Sequence, residues 1–226
     1  MKNLLLKAFI VCTILGSNAA MSQEVENNET INISRSLTSF DSTSKKLVGS
    51  SYIQKEFLPA KVIESDVTYA TRFNVYQDEM EIKKDGEDYS LPKTSNYTLV
   101  FQGTNKTYRV YKYMVENTEK PGFFVELFKG DKIILLLKER IILQEEVKPS
   151  TGYEKYKPPT LKHIKDKLYI GYKNNTTAEV PSKKKDFFNL FSSKSSEVEK
   201  FAKSNRLGIK DPEDVTKIFS YYNSLK

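Results

Sequence analysis

One histidine, His163, and one cysteine, Cys12, are all that the 226-residue chain offers of those two residue types. Cys12 sits within an apolar run near the start, so no thiol follows it, and multi-histidine or Cys/His metal sites are excluded together with cysteine nucleophiles. A Ser-His-acid triad would have to pass through His163, which lies three residues before Asp166 in a stretch rich in proline and lysine. No Gly-x-Ser-x-Gly elbow presents a serine to it. His163 is therefore expected to face solvent and to take no part in catalysis.

Carboxylates are the remaining route to catalysis, because glycoside hydrolysis needs only two acids held at the right separation. Asp78, Glu79, Glu81, Asp85, Glu87 and Asp88 gather around one short stretch. If that stretch is a strand, Glu79 and Glu81 point the same way, opposite Met80 and Ile82, as a solvated face also requires. A calcium loop is excluded, since Lys83 and Glu81 stand where such a loop needs Asp or Asn. No Gly-Lys-Ser/Thr or Gly-x-Gly-x-x-Gly phosphate loop occurs, and no cofactor is expected.

Binding chemistry is better represented. Tryptophan is absent but tyrosine occurs 14 times. Tyr153, Tyr156 and Lys157 stand with His163 among prolines, offering rigid aromatic contact area and a cation, and are the candidate binding residues. Tyr111 and Tyr113 share a strand side with Arg109, whereas Tyr108 aligns with Val110 toward the core. Lys183, Lys184 and Lys185 precede Phe187 and Phe188, a pattern compatible with a basic helix resting on an anionic membrane or simply with a packed helix whose lysines face water.

These residues need a scaffold, and its address is written first. Met1, Lys2 and Asn3 open the chain, an apolar run follows over 4–16, and Ala20-Met21-Ser22 ends it as a small-x-small cleavage site. That is the layout of a secretory signal peptide over 1–22, too short in its apolar part to span a bilayer. No cysteine stands where a lipoprotein would carry its anchor. The mature protein is expected to be bacterial, periplasmic or secreted, and free of disulfides. Six Asn-x-Ser/Thr triplets would accept glycans only in a eukaryotic secretory route.

Lysine and arginine number 36 against 29 acids, and two of the lysines, Lys2 and Lys7, belong to the signal. Positive and negative residues alternate instead of forming a dense basic stripe, which excludes a nucleic-acid partner. Residues 23–49 are polar and aperiodic and read as a flexible leader. The rest, 50–226, is one domain in length.

Within it the apolar pattern has a period of two. Residues 67–75 alternate as a half-buried strand. Residues 79–83 and 88–91 flank Asp85-Gly86, a pair suited to a tight hairpin. Strands are expected at 97–101 and 107–114 around Gly103, and at 122–128 and 132–143 around Gly130, the latter with a central apolar run. The proline-rich 146–166 reads as a long connection where recognition would reside, followed by a last strand at 168–172.

After Pro181 the period lengthens toward 3.6. Phe187, Leu190 and Phe191 share one face, Ser196 and Glu199 have capping-box spacing, and Asp211 with Pro212 opens a helix carrying Val215, Ile218, Phe219, Tyr222 and Leu225. The fold class is mainly β (α+β), an antiparallel meander forming a sandwich or open barrel, with two or three short C-terminal helices.

Arg72-Phe73-Asn74-Val75-Tyr76, Asp78-Glu79-Met80-Glu81, Asp85-Gly86-Glu87-Asp88-Tyr89 and the ending Lys217-Ile218-Phe219-Ser220-Tyr221-Tyr222-Asn223 resemble uncharacterised secreted proteins of flavobacteria (Bacteroidetes). Glutamine after the expected cleavage site is also usual in that group. The resemblance implies location and no activity. The functional expectation is a non-catalytic secreted or periplasmic binding or envelope module, whose partner is an envelope glycan or protein. The alternatives are a carboxylate-based hydrolase and a hydrophobic-ligand carrier whose half-open barrel is closed by the helices.

Overall fold

A computed structural model of the chain describes residues 34–35, 47–94, 96–150 and 155–226. The expected signal peptide at 1–22 and the candidate Tyr153 lie outside the described residues. The fourteen strands are β1 Ser34–Arg35, β2 Val48–Gly49, β3 Leu58–Val62, β4 Val67–Asn74, β5 Glu79–Lys84, β6 Glu87–Ser90, β7 Thr98–Phe101, β8 Thr107–Val115, β9 Thr118–Lys129, β10 Ile134–Lys138, β11 Ile141–Gln144, β12 Thr160–His163, β13 Lys167–Gly171 and β14 Thr177–Glu179. The helices are α1 Lys184–Asn189, α2 Ser195–Ser204 and α3 Pro212–Ser224. Strands β1 and β2 fall within the stretch read from sequence as the leader.

The main sheet runs β1-β6-β5-β4-β3-β7-β8-β9-β10-β13-β14, and β11-β12-β2 form a small second sheet. Neighbours in the main sheet pair antiparallel throughout. Alternation builds it: Phe73 in β4 and Met80 and Ile82 in β5 are buried, while Arg72 points the other way. Asp85 and Gly86 both have positive φ, 54° and 83°, the mirror-image turn whose twist matches that of the strands it joins. Strand β3 escaped the sequence reading because Pro59 stands in it. Its Pro59 carbonyl accepts from Gln102 N at 2.9 Å, so the residue remains tied into the sheet without an N–H of its own.

Between β3, β4, β5, β7, β8 and β9 lies one core, with Ala60, Phe73, Ile82, Leu99, Val110 and Phe123 among its members, capped by Ile141 and Leu161 of the small sheet. The second half of the main sheet curls without closing. Lys112 of β8 meets Thr176 in a single parallel bridge, and Lys112 N donates to Asn175 O at 2.7 Å. Inside the curl Tyr111, Phe124, Leu136 and Tyr169 pack with edge-on rings. Gly171 is required there, because a Cβ would stand 2.9 Å from Leu136 Cδ1.

The helices cover the opposite face of β10 and β13. Phe187, Phe191, Val198, Val215, Ile218 and Phe219 are each 0% exposed and pack on Leu135 and Ile170. Asp211 caps α3, accepting from Glu213 N at 3.0 Å and Asp214 N at 3.2 Å, with Pro212 in the first turn. The capping box expected of Ser196 and Glu199 does not form. A 3-10 turn over Ser192–Lys194 runs straight into α2, whose N-cap is Lys194, so no free end remains at Ser196 for it to cap.

Two further expectations are corrected. The single strand expected over 132–143 is two strands, β10 and β11, which belong to different sheets; the chain changes sheet at Glu139 and Arg140. Glu139 is 5% exposed and is held there by Lys106 Nζ at 2.6 Å and Tyr108 OH at 2.7 Å. The long connection over 146–166 is largely the return limb of a hairpin arm. Thr160–His163 pairs with Ile141–Gln144, and Val147 and Lys157 bridge farther out at the same register. Pro158 and Pro159, which lack N–H donors, separate the two paired stretches.

A basic cleft at the base of the arm as candidate functional site

Arg140 leaves β10 for the arm and residues 164–166 return from it, so the two stretches meet where the arm joins the main sheet. Asp166 fixes that junction. Its Oδ1 accepts from Arg140 N at 3.2 Å and lies 3.0 Å from His163 Nε2. Ile164 N donates to Arg140 O at 3.0 Å, and Arg140 Nη1 donates to Lys165 O at 3.3 Å. The opposite wall is equally tied: Val180 N donates to Leu168 O at 2.9 Å, and Gly208 N to Asp214 Oδ2 at 2.9 Å.

Between these walls opens a cleft of about 290 Å³, lined by Arg140, Lys165, Asp166, Lys167, Leu168, Glu179, Val180, Pro181, Ser182, Ile209 and Lys210. Four cations thus converge on two carboxylates. Both acids are engaged, Asp166 as above and Glu179 by Lys167 Nζ at 2.8 Å. Lys165 and Lys210 have no carboxylate within ion-pair distance among the described residues. The floor of Leu168, Val180, Pro181 and Ile209 is apolar. An anion with an apolar body fits such a site: one face rests on the floor while Lys165, Lys210 and the outer guanidinium nitrogens of Arg140 donate to its charge.

Elsewhere the buried charges are internally matched. Glu81 is 1% exposed. It accepts from Tyr52 OH at 2.9 Å, Arg72 Nε at 3.0 Å, Arg72 Nη2 at 2.5 Å and Asn74 Nδ2 at 3.1 Å. The Arg72 guanidinium lies over the Tyr52 ring at 4.0 Å and the Phe57 ring at 4.3 Å. The carboxylate cluster around β5 is therefore built on a structural ion pair.

Lys138 makes another such knot at the mouth of the curl. Its Nζ donates to Asp78 Oδ1 at 2.5 Å and Phe123 O at 2.9 Å, with the Tyr113 and Phe124 rings 5.0 Å away. Burial pushes the ammonium below its usual range while Asp78 pulls it back up. Gly122 gives the pair its room, since a Cβ there would meet Asp78 Oδ2 at 2.7 Å and Lys138 Nζ at 2.9 Å. A smaller cavity of about 40 Å³ beside Glu139, Lys106 and Arg72 is of water size.

The sequence candidates are dispersed. Tyr156 is 50% exposed near the arm's far end, its hydroxyl donating to Glu146 Oε2 at 3.3 Å, and Lys157 bridges Val147 through the backbone. Tyr111 is 2% exposed and interior to the curl. Phe187 and Phe188 are buried, so the helix after Lys183, Lys184 and Lys185 turns its apolar face inward. Of the acids and cations lining the cleft, the sequence reading reached only Asp166, whose neighbour His163 is not part of the lining. The 162–167 run of alternating lysines was visible, but Arg140 and Lys210 lie far from it along the chain and nothing local connects them.

Among the described residues no group of three or more His, Cys, Asp or Glu side chains is placed to hold a metal ion, and no helix is long and apolar enough to cross a membrane. No family model, no curated protein and no solved structure matches the chain, so the cleft is interpreted on its own geometry.

Proposed function

We propose that the chain is a non-catalytic secreted or periplasmic binding module, and that its partner is an envelope glycan or protein presenting a negatively charged group to the basic cleft. The observation that carries this reading is the pair Lys165 and Lys210, unmatched by any described carboxylate and set on walls already fixed by backbone hydrogen bonds. Pre-organised donors lose little entropy on engagement. The sequence start and the resemblance to secreted flavobacterial proteins support the location. Tyr156 and Lys157 on the arm, with Tyr153, would extend the contact, while Lys183, Lys184 and Lys185 add long-range attraction to an anionic surface by charge alone.

The hydrolase reading has one observation in its favour, two acids lining one cleft, Asp166 and Glu179. Lys167 and His163 hold them, which leaves neither free to donate a proton to a leaving group. The carrier reading has less support, because the helices pack directly on Leu135 and Ile170 through phenylalanine rings.

Titration calorimetry with uronate oligosaccharides, their neutral counterparts and inorganic phosphate tests the proposal. Saturable binding of the acidic oligosaccharide, weakened by salt and lost in Lys165→Glu/Lys210→Glu, is expected. Equal binding of neutral and acidic sugars, or binding untouched by the double substitution, would remove the cleft from the proposal. Turnover of the oligosaccharide abolished by Asp166→Asn would replace it with the hydrolase.

A further inference from the structure

A strand edge borders the basic cleft. Strand β14 is tied to β13 by Val180 N donating to Leu168 O and, at the other end, Tyr172 N donating to Thr176 O, each at 2.9 Å. The register between these pairs sets Glu179 opposite Tyr169 and Ala178 opposite Ile170. Alternation, fixed from both ends, therefore turns the N–H and C=O of Glu179 away from β13. On that outer side β8 meets β14 in one isolated parallel bridge, Lys112 with Thr176, and Met114, two residues farther along β8, is 58% exposed. No described strand pairs with Glu179 there, and Glu179 lines the cleft.

The lining narrows what such an edge can take. Its floor of Leu168, Val180, Pro181 and Ile209 is aliphatic, and it offers no aromatic face on which a sugar ring could stack. The two acids that could accept from sugar hydroxyls are engaged, Asp166 by Arg140 N and His163, and Glu179 by Lys167 Nζ. A volume of about 290 Å³ stands at the small end of ligand pockets and suits one end group.

Resting on the binding reading of this cleft, we propose that its partner is the C-terminus of an extended peptide with an aliphatic last residue, added parallel to β14. The chain beyond Glu179 lines the cleft as Val180, Pro181 and Ser182, so a peptide running parallel to it carries its C-terminus into the same space. Glu179 N then donates to the carbonyl two residues before the last, and the last N–H donates to Glu179 O. Parity sets the last side chain on the face of Val180, where Leu168 and Ile209 also pack. The terminal carboxylate follows it toward Arg140, Lys165 and Lys210, of which the two lysines have no carboxylate partner among the described residues.

Titration calorimetry tests this with changes made in the ligand, which leave the protein's own fold untouched. The probes are the acetylated peptide Gly-Ser-Ala-Leu as the free acid, its C-terminal amide, the acid methylated on the leucine nitrogen, the acid with serine in place of leucine, octanoate and the uronate oligosaccharide. The free acid should bind more tightly than the oligosaccharide and compete with it. The other three peptides should each bind at least about tenfold more weakly. Lys165→Glu/Lys210→Glu, shown to be folded by circular dichroism, should abolish binding of the free acid. Oligosaccharide binding that this double substitution removes, with the peptide bound no more tightly, would overturn the peptide and leave the cleft as an anion site. No binding of any probe would overturn both readings. Octanoate matching the peptide, or undiminished binding of the methylated form, would overturn the pairing with Glu179, and an amide bound as well as the acid would overturn capture of the carboxylate.

Discussion

Charge is gathered in two places in this molecule, and the protein treats them oppositely. Around β5, Glu81 is buried and every strong donor near it is committed: Tyr52, Arg72 and Asn74 converge on one carboxylate, and two aromatic rings enclose the guanidinium. At the base of the arm, lysines stand in a cleft with an apolar floor, and two of them have no carboxylate partner among the described residues. In the sequence the β5 region, with six acids in eleven residues, has the composition of a reactive site, whereas the base of the arm has that of an ordinary polar connection. What separates structure from recognition is the matching of charges, which depends on neighbours distant in sequence.

Glu81→Ala gives the sharpest test of that contrast. It leaves the Arg72 guanidinium without its principal carboxylate and Asn74, 3% exposed, with Gln77 Oε1 as its remaining acceptor. A loss of about 3 kcal/mol or more in urea unfolding is expected. Near-zero loss would mean that the β5 network is dispensable and that its acids are available for another role. In the cleft the pattern should reverse. Lys165→Glu/Lys210→Glu should change unfolding free energy by no more than about 0.5 kcal/mol while reducing affinity for an acidic oligosaccharide at least about tenfold.

A smaller effect separates the tyrosines of the interior from those of the arm. Burial pushes the Tyr111 phenol up to about 12. The folded protein keeps that proton past the pH, about 10, at which the unfolded chain releases it, so the stability it contributes is full below pH 10 and is lost as pH rises toward 12. Lys138, lowered by burial, has the opposite slope in alkali, and the phenols raised by burial, Tyr97, Tyr108, Tyr111 and Tyr113, outnumber it. Unfolding measured between about pH 10 and 11 should show Tyr111→Phe losing about 1 kcal/mol less than the parent. Equal losses would place Tyr111 in contact with water.

The smallest effect on stability belongs to the arm. Tyr156→Ala should cost no more than about 0.5 kcal/mol, since the ring is half exposed and its hydroxyl bond is long. If the arm contributes to recognition, the same substitution weakens oligosaccharide binding by about 1 kcal/mol. Unchanged binding would confine recognition to the base of the arm.

The sequence by itself determined the periodic elements. Alternation marked β4, β5, β7 and β8, Asp85-Gly86 marked a turn, and Asp211-Pro212 opened α3, because each depends on residues within a few positions of one another. It also placed Tyr108 toward the core and Tyr111 with Tyr113 on the other face, since a strand fixes that by parity alone. Tertiary structure decided the rest. Pro59 masked β3, whose place between β4 and β7 is conferred by its neighbours. The stretch 132–143 reads as one strand although Lys138-Glu139-Arg140 interrupts its apolar residues, because the contacts that turn it there, Lys106 and Tyr108 holding Glu139, lie more than thirty positions away. The arm read as a loop because its prolines break the local pattern, although its pairing partner is β11. The cleft required Arg140, Lys165 and Lys210 to be brought together by the junction of two sheets and a helix, and Coulomb interactions between them exist only once the chain is folded.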